Sequence, residues 1–315
     1  MSATTDFVAA QAENRRNTMV LLAVLTLLAG GIGYLVGALL ETESSGSLPA
    51  VSQVGIAAAG LMAAVSIGWS AISLAVGDKM VLSMAGAKVI EKQDAPQLYN
   101  VVEEIAIAAG VPMPRVMVVE TDALNAFATG NKVGSGTIAV TRGLLNSLNR
   151  DELQGVVAHE MAHLANLDTR YMVVVGVTVG LIALVCDMAL RTMNMGRMRS
   201  DDRKGSSGGG ILVIVLLVVA ILAPLAAKAV QMAVSRQREY LADATSVRFT
   251  RNPNGLISAL GKLAEKAAPF PGVSRATQHL FIVNPINQFT SKTPALLATH
   301  PDIEDRIARL RTLGS

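Results

Sequence analysis

The stretch His159-Glu160-Met161-Ala162-His163 decides how the rest of the 315-residue chain is read. Residues four apart on a helix lie on one face, so His159 and His163 can direct both imidazoles at a single metal ion. Glu160 follows the first histidine and can hold and deprotonate a water on that ion. The flanks favour a helix: Asn149 can cap it, Asp151 and Glu152 suit its positive N-terminus, and Leu153, Val156 and Val157 form an apolar stripe. Ala158 and Ala162 are small enough to pack closely beside a metal.

This is the H-E-x-x-H arrangement of zinc-dependent peptidases. A catalytic zinc takes three protein ligands and leaves one position open, so a third ligand is needed. The metzincin continuation requires a glycine and then a histidine where this chain has Asn166 and Thr169, which excludes that class. The better candidate is Glu239, within Ser235-Arg236-Gln237-Arg238-Glu239-Tyr240-Leu241-Ala242-Asp243. Glu239 and Asp243 share a helical face. One can ligate zinc while the other accepts the N–H of a ligating histidine and fixes its tautomer. Without the upstream motif, the two carboxylates would read as partners of Arg236 and Arg238 on a solvated face. With it, the expectation is one Zn2+ per chain on His159, His163 and Glu239, with Glu160 as general base and Asp243 behind a histidine.

Composition points independently to a membrane. Apolar residues make up 51% of the chain, charged residues 16%, aromatics 3%, and mean hydropathy is +0.44. The single cysteine, Cys186, excludes an internal disulfide. A net charge of +3 without a basic tract gives no sign of nucleic-acid binding. Two uncharged runs, Asn17 to Leu40 and Val51 to Val76, are each long enough to span the roughly 30 Å hydrocarbon core. The second is rich in Ala, Gly and Ser, which permit close helix approach in lipid. Met172 to Leu190, interrupted by Asp187, and Ile211 to Ala227 are shorter candidates.

Arg15 and Arg16 precede the first run, Glu41 and Glu43 follow it, and Lys79, Lys88 and Lys92 follow the second. The positive-inside rule then places the N-terminus and the motif on the cytoplasmic side. The loop bearing Arg191, Arg197, Arg199, Arg203 and Lys204 opposes full crossing by the second pair, which either spans or packs partly against protein. If each ligand helix runs on into its neighbouring apolar segment, the metal lies roughly 10–20 Å from the hydrocarbon boundary. Asp168, Arg170, Lys228, Arg236 and Arg238 would then mark the interface.

The region between the second and third runs reads as a soluble unit. Asp94-Ala95-Pro96 opens a helix to about Ala109, with Leu98, Val101, Val102 and Ile105 on one stripe and Gly110 closing it. Arg115 to Glu120, Asn125 to Thr129 and Thr137 to Val140 read as strands. The expected fold class is therefore α+β: a multi-pass helical membrane protein carrying a zincin-like domain of a small sheet plus the motif helix. Its parts are an N-terminal transmembrane hairpin (17–76), a zincin-like region (77–170), a second apolar hairpin with charged loop 191–210 (171–227), and a third-ligand and C-terminal helical region (228–315).

His159-Glu160-Met161-Ala162-His163, the Ser235–Asp243 segment, Asn125-Ala126-Phe127-Ala128-Thr129-Gly130 and Thr299-His300-Pro301 together resemble the HtpX-type integral membrane zinc metallopeptidases, relatives of the CAAX prenyl proteases. The similarity runs from about residue 18 to about residue 312, with the motifs in the same order. It implies an endopeptidase of the bacterial inner membrane, acting in quality control on misfolded or damaged membrane proteins or unfolded polypeptides. It also places the Asn125-Ala126-Phe127-Ala128 stretch beside the cleft. That stretch is either an edge that receives substrate as an added strand or plain core, with Phe127 buried and Asn125 capping a turn. His300 and Arg306 are candidates to steady the tetrahedral oxyanion, or else structural residues at the final helix. His279 reads as structural. A prenyl-peptide processor and a non-catalytic membrane protein with a structural zinc are the other classes.

Overall fold

Two long helices begin the chain, α1 (Phe7–Ser45) and α2 (Gln53–Met84), in a computed structural model that describes residues 7–45, 51–132, 134–178, 236–265, 282 and 301–313. Ala9–Thr42 and Gln53–Met84 are long and apolar enough to cross a membrane, and only 22% and 6% of their most apolar windows are buried. A core helix of a soluble domain would hide those side chains. Here Leu27, Leu61, Val65 and Ile67 face outward, as lipid contact requires. The helices lie close because glycines line their seam. A Cβ on Gly33 would come 2.6 Å from the Ala58 carbonyl oxygen, and one on Gly37 2.6 Å from that of Val54. At 39 residues, α1 rises about 58 Å, far more than the hydrocarbon core needs. A helix of that length extends beyond the core it could cross.

The soluble unit follows: β1 (Ala87–Val89), α3 (Pro96–Ala109), β2 (Arg115–Val119), β3 (Ala126–Thr129), β4 (Thr137–Thr141), α4 (Arg142–Ser147) and α5 (Arg150–Asn166). Residues 168–178 are again helical. Next come α6 (Arg236–Thr250), α7 (Pro253–Glu265) and α8 (Ile303–Leu313). Strand β1 and helix α4 carry too few residues for a periodic signal and were not expected from the sequence. Helix α3 keeps its predicted stripe and its Gly110 stop, in the left-handed region at φ 67°. Asp94, the polar residue that the opening triplet offers as N-cap, does not cap it. Ala95 occupies the cap position without a side-chain hydrogen bond, while the Asp94 carboxylate accepts from the Glu91 N–H in the preceding turn.

The sheet order is β1-β2-β4-β3, with β2 and β4 parallel and both outer pairs antiparallel. Alternation along the strands divides the core in two. Val116, Val118, Ala126, Ala128, Ile138 and Val140 face α3 and α5. Met117, Val119, Phe127 and Ala139 face the end of α2 (Val81, Leu82) and Met172 and Val173 of the 168–178 helix. With both faces covered, β3 and β4 are buried along their whole length. Strand β3 is thus an edge of the sheet whose side chains are core. Among the described residues its outer rim is engaged at one point, where the Ala126 carbonyl accepts from the Ile282 N–H at 3.0 Å. Asn125 is fastened inward, its N–H donating to Thr141 Oγ1 and its carbonyl accepting from the Thr141 N–H. His279, His300, residues 179–190, the charged loop and the Ile211–Ala227 run lie outside the described residues.

Candidate metal centre

Helix α5 begins as its sequence dictates. The Asn149 side chain accepts from the Glu152 N–H, and the Glu152 carboxylate accepts from the Asn149 N–H, a reciprocal capping box. Glu152 is buried and also meets Lys262 at 2.7 Å and the Ser258 hydroxyl at 2.6 Å, which ties the start of α5 to α7. Gly155 lets the two helices touch, since a Cβ there would lie 2.6 Å from the Leu256 backbone nitrogen. One turn further, His159, Glu160 and His163 are buried at 1%, 2% and 5% exposure, so the motif faces the interior.

Helix α6 lies across α5 and brings Glu239 to the two histidines. The Nε2 atoms of His159 and His163 are 3.2 Å apart, and each is 3.6 Å from a different oxygen of Glu239. Among the described residues these three side chains form the one His/Cys/Asp/Glu cluster able to hold a metal, with ligand atoms all within 4.8 Å. Atoms bound at 2.0–2.2 Å around a tetrahedral ion sit roughly 3.3–3.6 Å from one another. The Nε2–Nε2 separation and the separation of each Nε2 from its nearer Glu239 oxygen are of that order, the two carboxylate separations ending on different oxygens, whereas 3.6 Å is too long for a hydrogen bond. The donor set and its spacing fit zinc.

Each imidazole is held from behind by a carboxylate. His159 Nδ1 lies 3.0 Å from Asp243 Oδ1, and His163 Nδ1 lies 2.9 Å from Asp168 Oδ2. A carboxylate accepting at Nδ1 leaves Nε2 with its lone pair for a metal and fixes the ring. Arg306, fully buried, grips Asp243 through Nε to Oδ2 (2.9 Å) and Nη2 to Oδ1 (2.7 Å). It also donates to the Ile282 carbonyl at 3.4 Å. The final helix, α8, therefore reaches the centre through its arginine.

Electrostatics follow from this crowding. Burial and the Arg306 charge oppose protonation of His159, but Asp243 and Glu239 outweigh them and lift it to about 9. His163 is also raised: burial opposes the charge, and Asp168 and Glu239 overcome it. Burial works against Asp243, yet Arg306 and His159 hold it down to about 2. Arg306 in turn is raised by Asp243 against the cost of its own burial. Four carboxylates (Glu160, Asp168, Glu239, Asp243) meet two guanidiniums (Arg238, Arg306) here, a balance that calls for further positive charge.

Asp168 corrects the expectation that it marks the membrane interface. It is 2% exposed and faces the centre. Nor does α5 run on toward the apolar segment. It stops at Asn166, and Leu167 turns left-handed at φ 60° before the helix restarts. In an unbroken helix, residues five apart point about 140° away from each other. The break is what returns Asp168 to His163. No glycine announces it, and although Asn166 precedes the break, the left-handed residue itself is a leucine, uncommon in that region. Arg306, named with His300 as an oxyanion candidate, pairs with Asp243, donates to the Ile282 carbonyl and lies 3.8 Å from Glu239 Oε2. Asn125, just before β3, and Ala126 and Phe127 within it are buried, leaving only backbone for contact at that edge.

Peptidase family M48 matches this chain over residues 92–313. A protein named Protease HtpX homolog from Thermoanaerobacter pseudethanolicus is 41% identical over 305 residues, covering 96% of each chain. Its counterpart in Streptococcus thermophilus is 41% identical over 308 residues, covering 96% of this chain and 98% of the relative. The Pyrococcus abyssi homolog is 40% identical over 299 residues, covering 94% and 95%. The crystal structure of S. mikatae Ste24p aligns with 95% of this chain and 67% of its own, at 18% identity and a TM-score of 0.47. The family match takes in the histidine pair, Glu239, Asp243 and Arg306 alike, and with near full-length likeness to HtpX proteins it establishes that the chain belongs to peptidase family M48.

Proposed function

We propose that this chain is a membrane-embedded zinc endopeptidase with His159, His163 and Glu239 as ligands and Glu160 as general base. One observation carries the reading: the triangle of two Nε2 atoms and a carboxylate, with both Nδ1 atoms backed by carboxylates. Zinc, when bound, supplies Lewis acidity that polarises the scissile carbonyl and acidifies a water. The chain's own residues do the rest. Glu160 takes a proton from the water as its oxygen bonds to the carbonyl carbon, then delivers it to the amine nitrogen as the C–N bond breaks. Asp243 and Asp168 hold the two imidazoles in the tautomer that presents Nε2. Arg306 acts as a positioning residue, keeping Asp243 ionised and aimed.

The substrates in this proposal are misfolded or damaged membrane proteins and unfolded polypeptides, cut at the cytoplasmic face of the bacterial inner membrane. Support comes from Arg15 and Arg16 in the early turns of α1 and the lysines around the end of α2, from the outward-facing apolar side chains of α1 and α2, and from the HtpX likeness. The edge of β3 near Ala126 and Ala128 offers backbone groups to an extended peptide, the Ile282 segment already using one of them. His300 is retained as a further candidate at this cleft. The test is Glu160→Gln in the full-length protein: zinc content stays at one per chain while cleavage of an unfolded substrate such as casein collapses. Cleavage near the wild-type rate with full metal overturns the assignment.

A further inference from the structure

Among the described residues, the support for His163 does not end at Asp168. It continues into the membrane helix. Asn14 stands on α1 between exposed Glu13 and Arg15, yet it is itself 5% exposed, and Thr18 one turn on is fully buried. This face of α1 lies against the end of α5. Asn14 Nδ2 donates to the Asn166 carbonyl at 3.0 Å and to Asp168 Oδ1 at 2.7 Å. A side-chain amide has two hydrogens, and both are used. Gln11 adds a bond to the Ala165 carbonyl at 2.7 Å. The last carbonyls of a helix lack partners within it, and here α1 supplies them.

Resting on the zinc reading above, we infer that Asn14 is a positioning residue of the metal centre, acting on His163 through Asp168. The geometry is specific. Asn14 bridges the left-handed break at Leu167, with one hydrogen on the residue before it and one on the residue after it. Asp168 uses Oδ2 for His163 and Oδ1 for Asn14. Its other cation, Arg238, stands 3.6 Å from Oδ1 and stacks over Tyr171 at 4.7 Å. Arg238 thus supplies charge at a distance, whereas Asn14 fixes direction. Removing the amide frees the carboxylate to rotate about the break, and the His163 ring rotates with it. The outer turns of a membrane helix thereby become part of the zinc site.

The experiment compares two contacts in one joint. Full-length wild type, Asn14→Ala, the isosteric Asn14→Asp and Gln11→Ala are purified, and zinc affinity is read by competition with a chromophoric chelator. Cobalt-substituted samples give visible bands that report the ligand field. Partners of this kind govern metal affinity by roughly 10–100-fold, and Asn14 stands one step behind Asp168. The expected loss is therefore roughly 3–10-fold for Asn14→Ala, and larger for Asn14→Asp, which faces a carboxylate with another carboxylate. The cobalt bands shift in both. Gln11→Ala, which cuts a bond of similar length with no route to a histidine, keeps wild-type affinity and bands. Wild-type affinity and bands in Asn14→Asp, or an equal loss in Gln11→Ala, overturns the inference while leaving the metal site standing. A wild-type chain that binds no zinc overturns the site itself, and this inference with it.

Discussion

The two histidines of α5 proposed to hold the metal sit in unlike surroundings. His159 is backed by Asp243 and Arg306, residues from two helices that lie wholly within the soluble unit. His163 is backed by Asp168 and Asn14, across a break in its own helix and out to a membrane-spanning one. The first arrangement is a rigid, doubly hydrogen-bonded ion pair in a dry interior. The second depends on α1 remaining docked against the end of α5. A metal held as proposed would join a half-site backed from α6 and α8 to one backed from the long N-terminal helix.

The largest expected effect lies where the two halves meet. Glu160→Gln keeps both supports and every ligand, so zinc binding is unchanged, but the proton acceptor is gone. The turnover rate on an unfolded substrate falls on the order of 10²–10⁴-fold, measured alongside zinc content on the same preparation. A variant that loses its zinc instead shows that Glu160 belongs to the ligand set and not to proton transfer.

The contrast between the halves also explains which features could be read from the sequence. The His159 side is written in helical periodicity: His159 and His163 four apart, Glu239 and Asp243 four apart, each pair on one face. Those intervals bring candidates together without knowledge of the fold. The cap at Asn149 and Glu152, the stripe of α3 and the stop at Gly110 are likewise local and were readable. Asp168 was not, because periodicity turns it away from His163 and only the left-handed Leu167 restores it. Asn14 was invisible for another reason, being 154 residues from Asp168 in a run that reads as the approach to a transmembrane span. Arg306 could be singled out, but its pairing with Asp243, 63 residues away, needs tertiary structure.

Comparing Asp243→Asn with Asp168→Asn tests whether the halves are equivalent. Each change keeps shape while removing the negative charge on Nδ1, and each is expected to lower zinc affinity roughly 10–100-fold. Asp243→Asn carries a second penalty, because it leaves Arg306 buried without its paired charge. It is expected to destabilise the metal-free protein as well, seen as a lower unfolding temperature. Asp168→Asn is expected to lower affinity with a smaller change in that temperature. Equal destabilisation by both would remove the distinction drawn here between a buried ion pair and a hinge.

Proton competition gives a smaller effect with a definite sign. In the metal-free protein His159 is raised to about 9. Its protonated form therefore contributes stability fully below the ordinary value of about 6.5, and the contribution is lost as pH rises through about 9. Zinc takes the deprotonated ring and must displace that proton. Zinc affinity is expected to climb between pH 6.5 and 9, by about tenfold per unit for one displaced proton, and to level off above. His163, also raised, steepens the climb. In Asp243→Asn the carboxylate that lifts His159 is gone, so levelling begins at lower pH. A pH-independent zinc affinity across this window would contradict the charge balance assigned to the site.

The smallest effect serves as the control for all of these. Asn149 caps α5 at its N-terminus, and Asn149→Ala removes one side of the capping box. Such a loss costs about 1 kcal/mol, read as a modest fall in unfolding temperature. The cap stands ten residues before His159, about 15 Å along the helix axis at 1.5 Å per residue. Between them, Gly155 packs on the Leu256 backbone and Glu152 is bound to Lys262 and Ser258. Those contacts anchor α5 to α7 without the Asn149 side chain and hold the register of both histidines. Asn149→Ala is therefore expected to leave zinc affinity within about twofold of wild type, since destabilising the helix end moves neither Nδ1 partner. If it instead weakens zinc as much as Asp168→Asn does, affinity at this centre tracks global stability, and the separate supports assigned to His159 and His163 lose their meaning.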